Sequence, residues 1–323
     1  MNIIFLGSAQ FAVPSLEILL KTKHKISCVV TQPDKKKGRG LHLEGTPVKL
    51  AASGAGLKIY QPGDINSSEE IEFLKSFGVD LVIVIAYGQI LSKAALSIPR
   101  IFCINSHASI LPKYRGAAPI NWAIIMGEET TGVTIMKLEE KMDAGPVIAY
   151  KEMNIANDDT ADSLENKLSY LAAELLINSL NLIEEKKFQL IPQDNKAATF
   201  APKLKKRDGL INWDKPAGEI YNLIRGCFPW PGALTYYNGK LVKIFKARVT
   251  KSPPHGDFLR PPSRGAGEIA EVTKNGILII TKEDNLLIEE LQIEGKKRMS
   301  VEEFISGHKI QAGEKFTSLQ KSS

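Results

Sequence analysis

Short apolar runs alternate with helical stretches throughout residues 1–190, and that alternation leaves few folds open. Strands are expected at 2–6, 26–31, 58–60 and 81–86, in a run from 99 that ends at Asn105, and at 130–138 and 146–152. Helices are expected to open at Pro14, with Leu16, Leu19 and Leu20 on the apolar face, and at 47–52, 68–77 and 121–126. The run LVIVIA at 81–86 is apolar without alternation, as a strand covered on both faces requires. A long helix at 160–187 places Leu164, Leu168, Leu171, Leu175 and Ile183 near a 3.6-residue period. Strand–helix alternation of this kind predicts a doubly wound, mostly parallel, Rossmann-like α/β sheet.

The pattern changes beyond Gly209. Asn238-Gly239 separates LTYY from LVKIF, a strong hairpin signal, and further β-type runs follow at 267–272, 276–281 and 285–293. Such spacing predicts a smaller antiparallel OB-like β-barrel, and Ser300 with Glu303 makes a capping box for a helix at 301–306. Between the two lies 191–208, with two prolines and a cation cluster. The expected organisation is therefore a domain at 1–190, a basic linker at 191–208 and a barrel domain at 209–323, and 43% hydrophobic content suffices for two cores.

Three cysteines, Cys28, Cys103 and Cys227, are far apart and show no ligand spacing, so neither a disulfide framework nor a metal site is expected. The first apolar run meets Gly7 after four residues, too short for a signal peptide, and no run approaches the roughly 18–20 residues a bilayer needs. A reducing, cytoplasmic location without membrane contact is expected. Net charge is +6, but its distribution is more informative. Between 196 and 207 there are five cations and no acid, and between 240 and 264 seven cations against Asp257 alone. Such patches suit a phosphate-bearing partner.

The densest polar segment follows the strand that ends near Asn105: INSHASILPKYRGAAPI at 104–120. Open α/β sheets bind ligands at the carboxyl ends of their strands. Asn105 and His107 are two residues apart, so extended backbone would point both side chains to one side. Asp143 lies on a Gly/Pro turn between two strands. A carboxylate beside an imidazole favours the imidazolium and orients the ring, and an amide can donate to developing negative charge. That set suits transfer of an acyl-type group between two nitrogens and is poor for hydride transfer. Gly7-Ser8-Ala9-Gln10-Phe11-Ala12 lacks the glycine spacing of a dinucleotide fingerprint.

The sequence at these points resembles the methionyl-tRNA formyltransferase family. The matching segments are IIFLGSAQFAVPSL at 3–16, VVTQPDKKKGRG at 29–40, DLVIVIAYGQIL at 80–91, the stretch 105–120, TGVTIM at 131–136, MDAGPV at 142–147, APKLK at 201–205 and NLIRGCFPWPGA at 222–233. The resemblance implies a first domain that binds 10-formyltetrahydrofolate, without a metal, through Ile85, Ala86, Tyr87, Gly88, Gln89, Ile90, Ser109, Ile110, Leu111 and Pro112. It implies Asn105, His107 and Asp143 as the catalytic set and methionyl-initiator tRNA as the partner, with no obligate protein partner. Lys35, Lys36, Lys37 and Arg39 of the early loop, Lys203, Lys205, Lys206 and Arg207 of the linker, and Lys243, Lys246 and Arg248 of the barrel would face the tRNA. Trp230 is expected to pack at the domain junction rather than to stack on a base. Ser8-Ala9-Gln10 stands where Thr-Pro-Asp or Thr-Pro-Glu is more usual, and Ser106 where valine is common. The alternatives are another formyl-folate enzyme, an amino-sugar formyltransferase or a 10-formyltetrahydrofolate hydrolase, and a non-catalytic RNA-binding protein.

Overall fold

The computed structural model describes residues 1–37, 42–251 and 265–318. The chain forms two compact units. The first comprises Met1–Pro119, Thr130–Asn154 and Leu164–Pro202; the second comprises Ile120–Glu129, Ile155–Ser163 and the described part of Lys203–Ser323.

In the first unit the strands are β1 (Asn2–Gly7), β2 (Lys25–Val30), β3 (Lys35–Lys37), β4 (His42–Glu44), β5 (Ile59–Tyr60), β6 (Leu81–Ile85), β7 (Phe102–His107), β8 (Thr130–Lys137) and β9 (Val147–Asn154). Seven of them make one sheet in the order β5-β2-β1-β6-β7-β8-β9, and β3 pairs with β4 as a separate hairpin. From β5 to β7 all pairings are parallel, whereas β7–β8 and β8–β9 are antiparallel. The chain winds outward from β1 to one edge and returns to β6 on its other side, so the loops after β1 and β6 flank the switch point where such sheets bind ligands.

The sheet centre is the hydrophobic core. All five residues of β6 are buried, as its unbroken apolar run predicts, and Val82 and Val84 share a core cluster with Ile4 and Leu6 of β1 and Cys28 of β2. Three helices begin where a short polar side chain satisfies a free amide: Thr46 accepts from Lys49 N, Ser67 from Glu70 N and Ser92 from Ala95 N. The long helix spans Ala161–Glu184 and buries Leu164, Leu168, Leu171, Leu175 and Ile183. Two expectations need correction. Leu20 caps its helix and is 41% exposed rather than on the apolar face. The strand expected to end at Asn105 continues to His107, because β8 pairs with it as far as His107–Thr134.

The segment 191–208 is divided between the units. Ile191 exchanges two backbone hydrogen bonds with Val147, and Phe200 bridges to Arg115, so its first part packs with the α/β unit as far as Pro202. The second unit starts from Lys203 and builds β10 (Ala233–Tyr237), β11 (Lys240–Thr250), β12 (Ile269–Thr273), β13 (Gly276–Ile280), β14 (Asn285–Ile293), β15 (Met299–Ser300) and β16 (Phe316–Thr317). The order is β12-β13-β14-β11-β10-β16, with β15 on β14. Phe316 N donates to Gly267 O and Ile269 N to Glu314 O, each at 2.8 Å, which draws the sheet ends together into a small antiparallel barrel. The β10–β11 turn is Asn238-Gly239 with φ of 48° and 76°, the doubly positive turn that asparagine and glycine tolerate. Ser300 and Glu303 form the expected capping box ahead of the helix Val301–Gly307.

All three cysteine side chains are buried as free thiols. Burial pushes Cys28 up to about 11 and Cys103 and Cys227 up to about 12. Ellman's reagent at pH 8 should therefore label none of the three in the native protein within minutes and all three in guanidinium. A fast-reacting native thiol would show that the packing around it is open.

Candidate active site

Strand β7 delivers Asn105 and His107 to one side of its carboxyl end, while Ser106 between them is buried on the other. His107 is only 6% exposed. Its Nε2 lies 2.9 Å from the Tyr114 carbonyl oxygen, which can only accept, so Nε2 carries a proton. In the neutral ring the nitrogen left with a lone pair is Nδ1. That atom stands 3.7 Å from Asp143 Oδ2, too far for a direct hydrogen bond and within ion-pair distance of a protonated ring. Asn105 is partly buried, and among the described residues its carboxamide takes no intramolecular hydrogen-bond partner.

Asp143 reaches His107 by an indirect route. It follows β8, whose last residue, Lys137, pairs with Ile104, three positions before His107, so the connection to β9 must turn back toward the carboxyl end of β7. Asp143 has a φ of 49°, unfavourable for a residue with a side chain, and Oδ2 accepts from Gly116 N at 2.9 Å. Gly145 lies so close to β8 that an added Cβ would sit 1.9 Å from Lys137 O.

The loop after His107 is held by its own polar groups. Ser109 Oγ donates to Lys113 O, Thr134 Oγ1 donates to Ser109 O, and Leu111 N donates to Thr134 Oγ1. Tyr114 N donates to Thr199 Oγ1, Arg115 N to Thr199 O and Ala201 N to Arg115 O, so residues 199–201 brace this loop. Ser8 performs a related task at the switch point. Its amide donates to Ala86 O, its hydroxyl donates to Tyr87 O, and the hydroxyl oxygen accepts from Gln32 N.

The residues expected at the folate surface divide into two groups. Ala86, Gly88 and Ile90 are exposed, and Ile110 and Pro112 are partly so. Ile85 ends β6 in the core, and the Tyr87 ring is packed in the core with burial raising its pKa. The Gln89 carboxamide accepts from Ile65 N and donates to Gly63 O. Ser109 and Leu111 are also buried, and Ser109 Oγ is engaged with Lys113 O.

Among the proposed cations, Lys35, Lys36, Lys203, Lys205, Lys206 and Arg207 are exposed. Lys37 ends β3, and Arg39 falls outside the described residues. Lys243 is half-buried. Lys246 and Arg248 share Glu289 at 3.3 and 3.2 Å, so they do not present two free charges. Trp230 is 53% exposed rather than packed. No group of three or more potential metal ligands gathers among the described residues. Sequence reasoning missed Ser8, Tyr114, Gly116 and Gln193. The first three act at least partly through backbone groups that residue types do not reveal, and Gln193 was hidden in what read as a linker.

Residues 1–180 match the formyl transferase family model, and 203–309 match the model of the formyl transferase C-terminal domain. A methionyl-tRNA formyltransferase of Agathobacter rectalis is 43% identical, the alignment covering 98% of this chain and all of that one. The chain belongs to the methionyl-tRNA formyltransferase family. Another relative of that description, from Alkaliphilus oremlandii, is 45% identical over 97% of this chain and 98% of its own length. Among solved structures, a sugar 3N-formyl transferase determined with dTDP and 5-N-formyl-THF superposes with a TM-score of 0.66 at 21% identity, covering 92% of this chain and 99% of that one. A methionyl-tRNA formyltransferase from Clostridium thermocellum gives a TM-score of 0.54 at 16% identity, covering 77% and 94%. These two likenesses establish a shared fold.

Within this family member the tautomer of His107 is set by a single carbonyl. Nitrogen-15 NMR of the neutral ring should show the proton on Nε2. A ring protonated at Nδ1 would mean that the Tyr114 contact does not form in solution.

Proposed function

We infer that this protein transfers the formyl group of 10-formyltetrahydrofolate to the free amino group of methionine carried by initiator tRNA. The observation that carries this reading is the approach of the Asp143 carboxylate to within 3.7 Å of His107 Nδ1 at the end of the strand that also carries Asn105, whose carboxamide has no hydrogen-bond partner among the described residues.

The residues beside the site suit the folate. The exposed backbone at Ala86 and Gly88, with φ of 46° and 95°, offers amide edges, and Ile90, Ile110 and Pro112 offer apolar surface to a flat ring system. When bound, 10-formyltetrahydrofolate supplies the formyl carbon as an activated amide. The amine of methionine attacks when neutral; a free α-amino group titrates near about 7.7–8.0, so a useful neutral fraction exists near neutrality. His107 Nδ1 takes the proton that this amine gives up, Asp143 stabilises the imidazolium that results, and the ring returns that proton to the departing folate nitrogen as its bond to the formyl carbon breaks. The Asn105 carboxamide donates to the oxygen that gains negative charge. No serine or cysteine nucleophile is needed.

The exposed cations Lys203, Lys205, Lys206 and Arg207 form the proposed RNA surface, and the exposed Lys35 and Lys36, with Lys37 and Arg39 of the same sequence loop, are assigned to the acceptor end. Lys243, Lys246 and Arg248 extend it weakly, two of them being shared with Glu289. Phosphate contacts add affinity without reading bases. No helix among the described residues is long and apolar enough to cross a membrane, and the proposed location is the cytoplasm, where three free thiols persist.

Single-turnover formylation of methionyl-tRNA tests the assignment. Asn105→Ala should lower the rate about 10²–10³-fold, or about 2.7–4 kcal/mol of transition-state stabilisation, and His107→Ala about 10²–10⁴-fold. Retention of native rates by either variant would remove that residue from the chemistry. Lys205→Ala or Lys206→Ala should raise the tRNA KM and flatten its salt dependence while the folate KM stays unchanged. An unaltered tRNA KM across a salt series would take both lysines off the RNA surface.

A further inference from the structure

Gln193 uses every hydrogen-bonding position of its carboxamide. Oε1 accepts from Arg115 Nε at 3.1 Å and from Arg115 Nη2 at 2.7 Å; Nε2 donates to Asp143 O at 2.9 Å and to Gly145 O at 2.7 Å. The orientation of the amide is unambiguous, because a guanidinium only donates and a carbonyl only accepts. Arg115 is 2% exposed and is held further by Asn195 Oδ1 at 2.9 Å. A buried guanidinium of this kind is a rigid anchor, and Gln193 couples it to the turn that carries Asp143.

That turn needs an anchor. Asp143 sits at a φ of 49°, a conformation that persists only where the surroundings over-determine it. Its carboxylate is held by Gly116 N and its main chain by Gln193, so the two ends of the residue are fixed separately. Loss of the second restraint leaves the carboxylate bonded to Gly116 but frees the backbone to relax, and the 3.7 Å approach to His107 Nδ1 is no longer fixed. We propose that Gln193 is a positioning residue for formyl transfer, its two amide N–H bonds holding the Asp143–Gly145 turn so that the carboxylate faces the imidazole. The proposal rests on the function inferred above for His107 and Asp143.

A merely structural role, satisfying the buried Arg115, makes a different prediction, and Gln193→Glu separates the two. A carboxylate retains both Arg115 contacts and strengthens them by charge, yet it has no N–H to offer Asp143 O or Gly145 O. The native protein, Gln193→Glu, Gln193→Ala, Asp143→Asn and the double variants are compared for kcat, for KM of methionyl-tRNA and of 10-formyltetrahydrofolate, and for thermal midpoint. Gln193→Glu is expected to lose about tenfold to 100-fold in kcat, the scale of a small misplacement of a catalytic group, with both KM values little changed and a thermal midpoint no lower than that of Gln193→Ala. In an Asp143→Asn background the same substitution should cost less than about twofold, because its effect runs through the carboxylate. Native kcat in Gln193→Glu overturns the proposal, as does an equal loss with and without Asp143. Should Gln193→Ala not fold, the Gln193→Glu and Asp143→Asn cycle decides alone. Failure of the native protein to formylate methionyl-tRNA, or full activity in Asp143→Asn, would instead sink the underlying reading of the site.

Discussion

Strand β7 is the constraint on which the site depends, because the sheet changes sense there. On one side it pairs parallel with β6, which sets its carboxyl end beside the ligand-binding switch point. On the other it pairs antiparallel with β8, so the chain runs back down the sheet before Asp143 is reached. The β8–β9 connection must then return to His107. That detour explains the left-handed backbone at Asp143 and the glycine at 145, where β8 leaves no room for a side chain.

The loops that complete the site are held by directional bonds rather than by apolar packing alone. Each such bond contributes only about 0.5–1.5 kcal/mol net, but a buried partner left unsatisfied costs about 1–3 kcal/mol, so the network discriminates sharply between one arrangement and its neighbours. Tyr114 O, Gly116 N, Thr134 Oγ1 and Thr199 Oγ1 all take part, and several act through atoms present in any residue. Rigid placement matters because transfer between two bound substrates depends on alignment more than on any unusually reactive side chain.

Much of the architecture was legible because its signals are periodic. The buried run of β6, the 3.6-residue repeat of the long helix, the Asn238-Gly239 hairpin and the Ser300–Glu303 box each state a local preference that packing then honours. Asn105 and His107 were legible as a pair for the same reason: a strand alternates sides whatever surrounds it. The end of β7 was misplaced by two residues because only β8, distant in sequence, extends it. Segment 191–202 looked like a linker since it carries prolines and few apolar residues, yet its backbone pairs with Val147 and Arg115. Tyr87 and Gln89 read as ligand residues from the family motif, whereas the core and residues 63–65 claim their side chains.

The sequence by itself determined the two fold types and the polar segment from which the candidate groups Asn105 and His107 are drawn. Those properties follow from residue type, period and motif, which are local along the chain. Tertiary structure alone decided that Nε2 of His107 bears the proton, that Asp143 returns to face Nδ1, and that Lys246 and Arg248 lean on one glutamate. Each of these depends on atoms brought together from separated stretches of chain, and no linear pattern encodes a distance between them.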